Sequence, residues 1–146
     1  MRTREAALAA LFARISTAYA WNNAPTRRLV LWDQSPQEQR PAFYQFEGGR
    51  EVYKWTNGVL AARTIEARLF VYLDSSDHTI AGATLMNSIM DAIDAAMAPT
   101  GAEIAFGKCT LGGTCDHARI DGEIITDPGD IDDDGLPMVP VKITLP

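Results

Sequence analysis

Lysine is nearly missing from this chain of 146 residues: of 13 basic side chains, three are Lys and ten are Arg. Carboxylates number 19, so the net charge is -6 and the pI about 4.8. Proteins that grip nucleic acid by its phosphates need clustered Lys and Arg, and the balance here counts against that class. Arg is enriched at protein interfaces and Lys depleted, which leans the composition toward an assembling protein. Apolar runs long enough to cross a bilayer are also missing, so no membrane association is expected. The opening "MRTREAALAALFARIS" carries charge but no signal-peptide layout. Arg14 interrupts its apolar residues and no cleavage box follows, so a cytosolically made, unprocessed protein is expected.

Cysteine and histidine are scarce at two each. The densest chemical cluster is "CTLGGTCDH", Cys109 to His117. Structural zinc wants two close ligand pairs, but five residues separate Cys109 from Cys115, and the other histidine, His78, is distant in sequence. A disulfide across "TLGG" is conceivable in geometry but opposed by the compartment. The preferred reading is two small, reduced, buried thiols flanking a Gly112-Gly113 turn, with no zinc. Cys115 and His117 would share a strand face, yet no third group orients the imidazole, as nucleophilic catalysis requires. No glycine-rich phosphate loop and no "HExxH" occurs. Neither an enzyme nor a cofactor is expected.

What is present is periodicity and one acidic motif. Leu8, Leu11, Phe12, Ile15 and Tyr19 recur at helical steps behind a Thr3 N-cap, with Glu5 in the first turn. This predicts a helix stopping near Tyr19 to Trp21, before the turn cluster "NNAP". Arg27 to Asp33 and Ala42 to Glu47 read as strands separated by a proline-bearing loop. Along "RTIEARLFVYLD", Ile65, Ala67, Leu69, Val71 and Leu73 alternate with a half-polar, half-aromatic face, predicting the strongest strand. Met86, Ile89, Met90, Ile93 and Met97 form the stripe of a second helix over about Ile80 to Ala98, stopped by Pro99 and Gly101. The methionines read as core filling. "DHARIDGEIIT" and "MVPVKITL" alternate as strands, the latter expected at a sheet edge, or irregular at Pro140, because the proline lacks a ladder donor.

These elements run α-β-β-β-α-β-β, which predicts one α+β domain over 1–146: an antiparallel or mixed β-sheet packed with two main α-helices. "DIDDDG", Asp130 to Gly135, matches the opening of a calcium loop through Asp130, Asp132 and Asp134. Its twelfth position is Val141 where a bidentate Glu belongs, and strand patterns flank it, so a solvated acidic loop is preferred. The segment Gly48 to Ala62 reads as a mobile, glycine-punctuated connection. It carries Arg50, Tyr53, Lys54 and Trp55, residue types that concentrate at binding hot spots, and is the expected docking surface, with Trp55 folded back onto its own sheet as the alternative.

Taken in order, "REAALAALFARI", "TRRLVLWDQSPQEQRPAFYQFEGG", "KWTNGVLAARTIEARLFVYLD", "LMNSIMDAIDAAMAP" and the closing "TLGG…DHARIDGEIITDPGD…MVPVKI" resemble bacteriophage tail terminator proteins over nearly the whole chain. The resemblance implies a structural virion protein, assembled in the host cytoplasm, at the head-proximal end of the tail. It implies a homo-hexameric ring that caps the tail tube protein, ends its polymerisation and offers a surface to a head-completion or neck protein. Genomic DNA would pass through the ring without sequence-specific binding. The acidic "DPGDIDDDGLP" departs from the family's pattern. Two rival expectations are another ring-forming phage neck or head-completion protein, and a small calcium-dependent binding module built on the acidic loop.

Overall fold

A computed structural model describes residues 2–146. Helix α1 (Arg4–Ser16) starts where predicted, with the Thr3 hydroxyl accepting from the Ala6 N–H at 3.1 Å. It buries Ala7, Leu11 and Ile15. It ends one turn before Tyr19, because side chains take over its last carbonyls. The Thr17 hydroxyl donates to the carbonyls of Ala13 and Arg14, and the Trp21 indole N–H donates to that of Ile15 at 3.0 Å. Tyr19 and Trp21 leave the helix but continue an aromatic row, with ring centroids 5.3 Å apart and Trp21 5.4 Å from Phe43.

The sheet is antiparallel at every pairing of its five strands. Strand β1 (Ala42–Thr56) and strand β2 (Val59–Asp74) form one long hairpin. Asn57 and Gly58, at φ 51° and 76°, make its two-residue turn. Both angles lie in the left-handed region, which Asn and Gly tolerate and which matches the twist of paired strands. The segment 48–62 is therefore mostly ladder, not the mobile connection expected from its glycines. The pairing is interrupted where the register jumps from Glu47↔Ala67 to Glu51↔Ile65, setting Gly48, Gly49 and Arg50 against Glu66 alone.

Strand β5 (Asp134–Leu145) lies beside β2 and carries β3 (His117–Ile120) and β4 (Ile125–Asp127) on its other side. It is central, not the edge strand that Pro140 suggested. The proline falls between β3 and β4, where "DGEI" breaks what the alternation predicted as one strand. Its carbonyl accepts from Asp121 N–H at 3.2 Å on that side, so its missing donor faces the gap.

Helix α2 (Ala83–Ala96) begins later than predicted because Asp77 folds the preceding residues into a turn through Thr79. Met86, Ile89 and Ile93 are buried, as is Met97 just past the helix. With α1 they cover one sheet face, packing on Ile65, Ala67, Leu69, Val71 and Leu73, as the alternation predicted, and on Val139, Val141, Ile143 and Leu145.

The predicted strand Arg27–Asp33 is absent. Thr26 makes one parallel bridge to Tyr44, and the chain then crosses the opposite sheet face as a strap, with single 3-10 turns at Trp32–Gln34 and Gln37–Gln39. Side chains satisfy its carbonyls where a ladder would have: Tyr72 donates to Val30 at 2.6 Å, and Arg40 to Trp32 and Ser35. Leu29 and Val30 pack on Ala42, Tyr44 and Tyr72. Beyond the strap that face of the sheet is open.

Candidate functional site

The four predicted interface residues sit on the outer half of the β1–β2 hairpin, an arm that runs past the helices and is exposed from Gly48 to Val59. The structure divides them. Tyr53 belongs to the arm's anchor: Arg4, in the first turn of α1, donates to Glu51 at 2.6 and 2.9 Å and to the Tyr53 hydroxyl at 2.6 Å. The bond from Arg4 holds the Glu51 carboxyl below its ordinary range. Arg50 and Lys54 form no ion pair with any described residue. Trp55 is 60% exposed, and Val52 and Val59 are exposed to a similar degree. The arm thus offers Val52 and Val59 beside Lys54 on one face and Trp55 on the other, with Arg50 farther back opposite Glu66. An isolated two-stranded hairpin has little stability of its own, and here the inner half of each strand supplies the support.

The acidic loop is built into the fold at the other end of β2. Ser75 donates through its backbone to Asp133 at 2.8 Å and through its hydroxyl to Pro128 at 2.6 Å. A Cβ on Gly129 would sit 2.8 Å from Ser75 Oγ, and one on Gly135 2.9 Å from Leu73 Cβ, so backbone and neighbour are in contact at both places. The three calcium-loop carboxylates have separate employments. Asp130 accepts from Gly82 N–H, Asp132 from Asp134 N–H, and Asp134 pairs with the buried Arg40. Position 12, Val141, is buried in β5. Asp133 bonds His78 Nε2 at 2.6 Å and raises the imidazole pKa. No group of three or more metal-ligating side chains converges among the described residues.

The "TLGG" turn wraps a carboxylate that the sequence reading did not single out. Glu103, 4% exposed, accepts from the backbone N–H groups of Thr100 (3.0 Å), Thr110 (2.7 Å) and Gly112 (3.1 Å). It also accepts from both hydroxyls of that set and from two Arg14 nitrogens, at 3.0 and 3.2 Å. Burial pushes this carboxyl's pKa up, but Arg14 and the three N–H groups outweigh it and hold the group well below the usual carboxylate range. The signal was there to find: Thr100 and Glu103 have capping-box spacing. Arg14 also approaches Cys109 Sγ at 2.9 Å. Cys109 and Cys115 are free and buried. Burial raises both thiols, Cys115 to about 12, so the neutral thiol form is favoured. Burial also lowers the pKa of His117.

No described helix is long and apolar enough to cross a membrane. No family model matches this chain, and no curated protein matches it.

Proposed function

We propose that this chain is a structural virion protein of the tail-terminator kind. Six copies form a ring on the head-proximal end of a phage tail tube, stop its growth and present the surface that the head or neck joins, with the genome passing through. The reading starts from the ordered, full-length resemblance of the sequence. The observation that supports it best is the arm, whose Val52, Trp55 and Val59 stand exposed while Arg50 and Lys54 form no ion pair with any described residue. Apolar side chains of that size held in water mark a surface made for another protein. The tip is small, basic and aromatic, which suits recognition by docking.

Addition of the purified protein to growing tail tubes tests the reading. Tubes are expected to stop elongating and to carry a ring at one end in electron micrographs. Unchanged tube growth, or a lone subunit or two-fold dimer at the tube end, would refute it.

A further inference from the structure

The two ends of the hairpin differ in kind. Toward the tip, exposed Val52, Lys54 and Val59 share one face of the hairpin and Trp55 stands on the other, with Arg50 farther back where the register jumps opposite Glu66. At the other end, roughly 50 Å away along the strands, exposed Trp32, Ile125 and Ile131 accompany Asp127, Asp130 and Asp132. Those three carboxylates form no ion pair with a described residue, whereas Asp133 and Asp134 are paired to His78 and Arg40. Between the exposed groups lies a recess of about 180 Å³, walled by Trp32, Tyr72 and Leu136 and rimmed by Asp127 and Asp132. An aromatic wall beside carboxylates suits a cationic side chain, which gains from the ring face and from the charge. The recess floor holds Arg40, already neutralised by Asp134 and 5.9 Å above the Tyr72 ring.

We infer that the arm tip of one copy docks on the acidic end of a second copy, with Lys54 directed to the Trp32 recess and Val59, on the same face of the hairpin as Lys54, laid against Ile131 and Ile125. The occupant is a second copy because each end carries what the other lacks. Two arm cations without an ion pair among the described residues are matched by three carboxylates that bond only backbone N–H groups, and apolar side chains are exposed at both ends. Rigid strands keep the two ends of one chain apart, so they meet only between copies. Such a contact is heterologous: one face of a subunit meets a different face of the next, which generates a closed ring or an open filament. Copies of net charge -6 repel at long range, and this contact reverses the sign locally, so it is oriented as well as attractive. The inference deepens the proposed ring and rests on it for closure.

The test uses the full chain in two reversed forms. The tip variant is Arg50→Asp with Lys54→Asp; the base variant is Asp127→Lys, Ile131→Lys and Asp132→Lys. Each is checked for native fold by circular dichroism. Self-association is read by sedimentation over a concentration series and by ring counts on tail tubes. Each variant alone is expected to lose association by about tenfold or more, since like charges now meet. A 1:1 mixture is expected to regain it, because an acidic tip then meets a basic base and a basic tip an acidic base. Added salt is expected to weaken the wild-type contact through screening. Should the base variant fail to fold, Ile131→Lys alone, at a fully exposed position, is expected to weaken association, and its indifference would overturn the contact. Wild-type rings with both variants assembling equally well would overturn this contact and leave the ring. So would folded variants that fail to recover on mixing. Wild type that stays monomeric both free and on tubes would overturn the ring reading with it.

Discussion

The arm tip and the Glu103 site invert the usual rule of inside and outside in opposite directions. At the tip a tryptophan and two valines stand in water; behind the "TLGG" turn a carboxylate is sealed from it. The ladder holds the tip, and its exposed side chains contribute little to folding. The carboxylate is held by a cation from α1 and by N–H groups from two further segments, Thr100 and the "TLGG" turn, so it ties the three into one unit. On the proposed function the exposed apolar residues serve association, while the buried charge serves stability.

That contrast is open to breakage by substitution. The largest effect is expected from Glu103→Ala, which leaves Arg14 and three backbone donors without their acceptor. A loss of about 3–5 kcal/mol in denaturant unfolding follows from removing one partner of a buried pair. The same site sets an acid limit. Its folded pKa lies below the ordinary 4.5, so its contribution is complete above that value and is lost as pH falls through the folded pKa. Wild type is expected to lose stability below about pH 4.5, and Glu103→Gln to lack that component; parallel acid profiles of the two proteins would dissolve the contrast.

Next in size, Trp55→Ala is expected to weaken docking by about 2 kcal/mol or more. It should move the unfolding free energy by no more than about 0.5 kcal/mol. Binding to tail tubes and urea unfolding of the same preparation separate the two; loss of fold, or normal capping, would place Trp55 on the wrong side of the comparison. Smallest is Tyr53→Phe, which removes one exposed bond from Arg4 and should cost under about 1 kcal/mol in thermal unfolding. A larger loss would mean that the arm and α1 form one cooperative unit.

Much of this was legible in the sequence where a single face is buried. Strand β2, the alternation of β5, both helical stripes and the Thr3 cap follow from local pattern, and the α+β sheet-and-helix architecture follows from their order. The reading failed where long-range partners decide. Nothing local tells Arg27–Asp33 that Tyr72 and Arg40 will take its carbonyls, so its apolar run looked like a strand. Pro140 signalled an edge because the break in the neighbouring strand, which accommodates it, is set by "DGEI" about twenty residues earlier. In "TNGV" the hairpin turn was written plainly, but the polar outer strands around it masked their pairing. The four candidate interface residues were found by type; their division into anchor and tip depends on Arg4, which only the fold brings near. The Glu103 site was half visible as a capping box, and its other half, Arg14 and "TLGG", lies at the far ends of a 99-residue stretch, from 14 to 112.

The glycines that bind the acidic loop to the end of β2 have a consequence for how the sequence can drift. Gly129 and Gly135 admit no side chain without displacing Ser75 or Leu73. Ile131, between them, touches nothing. The loop is therefore fixed at its ends and unconstrained at its crest. The side chain at position 131 can be rewritten by mutation, whereas Asp130, Asp133 and Asp134 are held by Gly82, His78 and the buried Arg40, so a change of partner at the crest would leave the frame intact.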